Sequence, residues 1–202
     1  MTEEDAQQWI ATRYGEQAQA LDRLVQLVRA ENDVQNLIAP STVSQIWSRH
    51  IVDSAQLLAW GGPLGLWIDI GTGGGFPGLV IAILRPEPTL LIEPRKRRAE
   101  FLLQAADQLG LGDHVSVMAS KVEHVTDHAA IISARAVAPV EKLLQAAQPC
   151  ATTATRWLLP RGRIATDEIA QLKRRWTGVF HVEQSVTDPT SSILILDDVR
   201  RR

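Results

Sequence analysis

The stretch WIDIGTGGGFPG, residues 67–78, constrains the fold more than any other part of the chain. A short apolar run carries one acid, Asp69, and five glycines then fall within eight residues, Gly71 to Gly78. Glycine adopts backbone angles closed to other residues and admits a ligand that a Cβ would hold away. Next comes PGLVIAIL (77–84), a helix opened by Pro77. Apolar strand, bare turn and helix in that order form the first unit of an open sheet that binds ligands at the carboxyl ends of its strands.

The remaining chain agrees with such a sheet. TLLIE (89–93), HVSVMA (114–119), AIISAR (130–135) and RWLLP (156–160) read as strands. KRRAEFLLQAADQLG (96–110), VEKLLQAA (140–147) and TDEIAQLKRRW (166–176) read as helices, with Gly110 as a stop and Thr166 as a capping signal. GVFHVEQSV and SILILDDV follow without a helix between them, which predicts an antiparallel pair at one edge, turned at Asp188–Pro189. Earlier, Leu21, Leu24, Val25, Leu27 and Val28 recur at helical spacing. Ile46, Ile51, Leu57 and Leu58 form a second stripe beyond a break at NLIAPST (36–42). The expected architecture is a doubly wound, Rossmann-like α/β sheet with helices on both faces. Residues 1–62 are expected as a helical extension packed on a ligand-binding domain of residues 63–202, the two forming one compact unit.

Composition narrows the functional classes. A length of 202 residues suits one domain, and 45% hydrophobic content is enough for a core. No run approaches the roughly 18 apolar residues of a membrane span. The opening MTEEDAQQW is too acidic for a targeting segment, so a cytoplasmic location is expected. The single cysteine, Cys150, excludes an internal disulfide and argues against a zinc site, and no metal is expected. A net charge of −2 does not announce a nucleic-acid binder. Bases nevertheless cluster at Arg95, Lys96, Arg97 and Arg98, at 173–175 and at 200–202, either as a phosphate-holding face or as solvated helix ends.

Three ligands compete for the glycine turn. A P-loop needs Gly-Lys-Ser/Thr, and no lysine stands there. Gly73, Gly75 and Gly78 satisfy the dinucleotide pattern, with Glu93 placed to take a ribose. Against it, Asp69 would repel a pyrophosphate, and Pro77 stiffens the turn. S-adenosylmethionine has a cationic sulfonium and no phosphate. Asp69 would then favour the positive end while Glu93 accepts both ribose hydroxyls. A structural alternative has Asp69 capping the following helix.

For the methyl acceptor, an exocyclic amine calls for an Asn/Asp-Pro-Pro-aromatic run, which is absent. Carbon methylation needs a cysteine nucleophile, and Cys150 after Pro149 lies beyond the fourth strand, where it reads as a buried thiol. A ring nitrogen with a free lone pair needs only collinear positioning, so the lack of a catalytic signature is compatible with it.

The chain as a whole resembles the RsmG (GidB) family of bacterial 16S rRNA guanine-N7 methyltransferases. The resemblance rests on NLI (36–38), RHIVDS (49–54), DIGTGGGFPG (69–78), IEPRKRRAEFL (92–102), ASKVEHV (119–125) and ISARAVAPVEKLL (132–144). It implies a class I S-adenosylmethionine-dependent fold and methylation of a guanosine in the 530 loop of 16S rRNA. It puts Gly71 and Phe76 against the cofactor, Val122 and Glu123 beside adenine, and Arg135 at the cofactor or the acceptor. Where the family commonly has Lys-Gly, this chain has Arg161–Gly162, which keeps the charge and changes its shape.

Candidate catalytic groups are Arg135, Arg161 and His50. His50 and Asp53 share a helical face, either serving the RNA site or tying the extension to the sheet. Arg161, Arg163 and the 95–98 cluster are the candidate RNA contacts. Trp47 and Trp60 are either stacking partners or core. The modest net charge suggests a small-subunit particle or assembly intermediate as substrate, bound by a monomer. Competing readings are a methyltransferase acting on another RNA or a small molecule, a non-catalytic RNA-binding assembly factor and, last, an NAD enzyme.

Overall fold

Four-residue apolar runs build the centre of the molecule, β1 (Trp67–Ile70), β2 (Thr89–Ile92) and β4 (Ile131–Ala134), all buried along their length. The computed structural model describes residues 1–202, the side chain of Thr166 aside, so its expected capping role lies outside the described residues. β3 (Val115–Met118), β5 (Arg156–Arg161), β6 (Trp176–Gln184) and β7 (Ser192–Arg201) complete one sheet in the order β3-β2-β1-β4-β5-β7-β6. β1 to β5 run parallel, while β7 pairs antiparallel with both β5 and β6. Ile70 stands level with Ile92 on one side and Ala134 on the other. The chain steps outward from β1 in one direction and from β4 in the other, so a crevice opens above these two carboxyl ends.

Helices cover both faces, which is why the central strands do not alternate apolar with polar. On one face Ile68, Ile70, Ile92 and Ile132 pack with α6 (Val140–Ala146) and with Leu172 of α7 (Thr166–Arg175). On the other, Leu91 meets Leu79 of α4 (Gly78–Leu84) and Leu102 of α5 (Lys96–Gln108). α1 (Glu3–Tyr14) and α2 (Ala18–Asn32) extend this second core through Ile10, Leu21, Leu24 and Val28. α1 opens with a capping box between Thr2 and Asp5.

The second apolar stripe is helical in irregular forms. Pro40–Gln45 is a 3₁₀ turn and Trp47–Val52 a π-helix, followed by α3 (Asp53–Ala55) and a 3₁₀ turn at Gln56–Trp60. Ile46 and Ile51 are both fully buried and lie five residues apart, the spacing a π turn brings onto one face. The Glu3 carboxylate accepts the main-chain N–H groups of Trp47 at 3.0 Å and Ser48 at 2.8 Å, which ties α1 to the start of the π-helix. Among the described residues, no helix is long and apolar enough to cross a membrane.

Candidate active site

The glycine turn is held from beneath. Asp69 is fully buried. Its Oδ2 accepts from the main-chain N–H of Gly78 at 2.9 Å and the Thr72 hydroxyl at 2.8 Å, and its Oδ1 accepts from the Ser133 hydroxyl at 2.6 Å. Burial pushes its carboxyl up to about 6, against the lowering effect of these donors. This corrects the expectation that Asp69 favours the positive end of a sulfonium ligand. A carboxylate whose oxygens are spent on the loop, the next helix and the neighbouring strand β4, with none of its surface exposed, organises these elements instead. Gly78 abuts it so closely that an added Cβ would overlap the Leu91 side chain and come within 2.8 Å of Asp69 Oδ2.

Above this anchor lies a cleft of about 1120 Å³. Gly71, Gly73 and Phe76 line it, whereas Gly75 does not. Gly71 has a left-handed φ of +67°, and a Cβ there would stand 2.6 Å from Val137. Glu93, at the end of β2, is 3% exposed and also lines the cleft. Its carboxylate accepts the main-chain N–H groups of Gly73 at 3.0 Å and Arg95 at 2.9 Å, leaving lone pairs for a further donor. Val122 and Glu123 line the same end from the 3₁₀ turn after β3.

The opposite wall is assembled from side chains. Arg135, just past β4, donates from Nη1 to the Arg49 carbonyl at 2.8 Å and to Asp53 Oδ2 at 3.2 Å. Its Nη2 stands 2.8 Å from His50 Nδ1. A guanidinium only donates, so Nδ1 accepts and the His50 proton sits on Nε2, facing the Thr42 hydroxyl at 2.9 Å. Burial, then the charges of Arg135 and Arg49, holds this imidazole down at about 3. The His50 and Phe76 rings lie 4.9 Å apart, with the Arg135 guanidinium 5.8 Å from the Phe76 centroid. A neutral histidine therefore locks the arginine beside the Phe76 ring.

The matches with known proteins are of two kinds. A family model described as GidB, rRNA small subunit methyltransferase G, matches residues 17–192. A ribosomal RNA small subunit methyltransferase G of Sphingopyxis alaskensis is 49% identical over 199 residues, covering 96% of this chain and 85% of the relative. One from Zymomonas mobilis is 40% identical and covers 96% and 93%. The chain belongs to the rRNA small subunit methyltransferase G family. The glycopeptide N-methyltransferase MtfA, solved with sinefungin, superposes with a TM-score of 0.63 at 6% identity over 73% of this chain and 93% of its own. The mitomycin 7-O-methyltransferase MmcR gives 0.59 at 16% identity over 91% and 67%. These two likenesses concern the fold, which is that of class I S-adenosylmethionine-dependent methyltransferases.

In this family member the residues present suit that cofactor: a glycine backbone where a Cβ would collide, and a buried carboxylate with spare lone pairs at the β2 end. The candidate RNA residues divide. Arg95, Arg98, Arg161 and Arg163 line the cleft, while Lys96 and Arg97 lie outside it on exposed α5 surface. Arg98 also donates to the Asn36 carbonyl at 2.6 Å. Arg161 is half-buried and spent partly on the protein, donating to the Ala138 carbonyl at 3.0 Å and facing Glu168 at 3.6 Å. Among the described residues no tryptophan lines the cleft; Trp47 is 5% exposed in the core, which removes it as a stacking platform. Cys150 lies outside the cleft, buried, its thiol pushed up to about 11 mainly by burial. Lys142, Thr187 and Ser191 line the cleft without having been singled out. Lys142 lies within the run ISARAVAPVEKLL (132–144), whereas Thr187 and Ser191 sit in the β6–β7 turn and carry no local signal.

Proposed function

We propose that the chain methylates the N7 atom of one guanosine in the 530 loop of 16S rRNA. Bound S-adenosylmethionine would supply an electrophilic methyl group, so an N7 lone pair needs positioning and no proton to be moved. Within this reading Glu93 accepts the ribose hydroxyls, Gly71 and Phe76 bound the cofactor, and Val122 and Glu123 flank adenine. Arg135 sits at the junction with the acceptor, held by His50 and Asp53. Arg95, Arg98 and Arg163 meet phosphates.

The observation that carries the reading is the make-up of the cleft. It joins a glycine-and-carboxylate end to an arginine-rich rim, and among the described residues no thiol lines it. Cys150, the one thiol, is remote and held protonated, which disfavours carbon methylation through a covalent adduct. A lone-pair acceptor needs positioning alone. The mild net charge of −2 favours an assembled small-subunit particle over a free strand, with the protein acting as a cytoplasmic monomer. In this reading residues 1–62 form the cap that completes the acceptor wall.

The decisive experiment offers labelled S-adenosylmethionine with small subunits lacking N7-methylguanosine, and free 16S rRNA alongside. Label on a single guanosine of the particle is the expected result. Cofactor binding without label on either substrate would remove the acceptor assignment.

A further inference from the structure

Four carboxylates line the cleft: Asp53, Glu93, Glu123 and Glu168. Asp53 gives Oδ2 to Arg135 and Oδ1 to the Gln56 amide and the Thr187 hydroxyl. Glu93 gives both oxygens to main-chain N–H groups. Glu123 follows β3, four strand positions from β5 in the sheet, or roughly 19 Å at the usual strand spacing. Glu168, in the first turn of α7, has Arg161 at 3.6 Å as its only side-chain partner among the described residues. That distance is beyond a hydrogen bond. Among the described residues no side chain donates a hydrogen bond to it.

The surroundings of Glu168 suit a planar base. Arg161 ties its corner to the loop after β4 through the Ala138 carbonyl at 3.0 Å. That loop is strained, because Ala136 holds a left-handed φ of 55° without being glycine. The strained turn presents Val137, 44% exposed, into the cleft as an apolar face. Beside Arg161, a Cβ built on Gly162 would meet nothing within 4 Å, so space is open there.

Resting on the guanosine assignment above, we propose that Glu168 is the specificity-determining residue that reads the donor edge of the target guanine. Guanine presents N1–H and N2–H₂ along its Watson–Crick edge, two donors that a carboxylate fork accepts together. Adenine has an acceptor at N1 and would face the carboxylate with repulsion. N7 lies on the other edge of the base. A guanine read by Glu168 at the α7 end, and packed on Val137, therefore keeps N7 free to face the β1 and β4 ends, where Phe76 and Arg135 lie.

The test is methyl transfer to small subunits reconstituted with guanosine or inosine at the target position. Inosine lacks the 2-amino group and retains N7, O6 and N1–H. Wild-type protein is expected to lose about tenfold in kcat/KM on inosine, the discrimination of one good paired contact. E168Q is expected to lose at least as much on guanosine and to show little further loss on inosine, because the lost contact is shared. E168D, which keeps the charge on a shorter arm, is expected to fall between. Equal inosine penalties in wild type and both variants overturn the proposal, and this comparison cancels any change in the base's own reactivity or in folding yield. A wild type that labels no guanosine at all would overturn the acceptor assignment and this inference with it.

Discussion

The two walls of the cleft are built by opposite means. The glycine-loop wall is mostly main chain held from below: one buried carboxylate, Asp69, collects the Thr72 and Ser133 hydroxyls and the Gly78 main-chain N–H. The cap wall is side chain held from the side: Arg135 crosses from β4 to grip Arg49, His50 and Asp53 of the π-helix and α3. A wall of backbone tolerates almost no added atom. A wall of side chains tolerates exchange as long as donors and acceptors still match.

The sharpest way to break this contrast is Gly78→Ala. One methyl group would overlap Leu91 and press on the Asp69 carboxylate. Overpacking combined with a disturbed buried hydrogen bond is expected to cost about 3 kcal/mol in urea unfolding and to abolish cofactor binding by calorimetry. Arg135→Ala comes next, with an expected cost of about 2 kcal/mol, since the His50 Nδ1 atom and Asp53 Oδ2 lose their donor in a half-buried setting. Methyl transfer should fall at least a hundredfold. Arg135→Lys restores a charge without the fork, so stability should recover more than activity does. Equal recovery of both would make the cap wall a matter of charge alone.

The same contrast explains what could be read in advance. The loop wall is contiguous, residues 67–78 with Glu93 one strand later, so pattern and spacing identify it. The orientation of Asp69 is not legible there, because alternation does not tell which way a residue points when both sheet faces are buried. The cap wall joins residues 49–53, 135 and 187–191, which only the tertiary fold brings together. Arg135 was conspicuous as a charge closing an apolar strand. Thr187 and Ser191 were not, since a polar residue in a turn is ordinary. The π-helix is not legible in the sequence because a spacing of five, Ile46 to Ile51, matches no regular helical period.

Titration sharpens the comparison, because the two walls respond to pH with opposite sign. The folded protein binds a proton at Asp69 more tightly than the unfolded chain, its carboxyl lying at about 6 against an ordinary 3.8. Its contribution to stability is full below 3.8 and is lost as pH rises through about 6. His50 behaves in reverse: the unfolded imidazole takes a proton near 6.5 that the folded one refuses until about 3. Its contribution is full above 6.5 and is lost as pH falls toward 3. Between these values the two trends oppose, so wild-type stability should be nearly level from about pH 4 to 6. Asp69→Asn should leave stability rising with pH in that window, and His50→Gln should leave it falling. Urea titrations at four pH values would decide, and unchanged profiles in both variants would contradict the burial of both groups.

The smallest effect is expected at the outer latch of the cap, where Arg49 meets Asp188 at 2.9 Å with side chains 44% and 25% exposed. An exposed pair of this kind is worth about 0.5 kcal/mol and weakens with salt. Asp188 is held down at about 2 chiefly by the Thr190 hydroxyl and the Thr190 main-chain N–H, with Arg49 contributing less. The turn is also fastened without Arg49, because the Gln56 amide accepts from the main-chain N–H of Val186 at 2.9 Å and donates to the Ser185 hydroxyl at 3.1 Å. Arg49→Ala should therefore leave the fold and the Asp188 titration, followed by NMR, nearly unchanged. A larger loss in methyl transfer than in stability would then place the Arg49 guanidinium on the RNA, since its side-chain partner among the described residues, Asp188, is one the turn can do without.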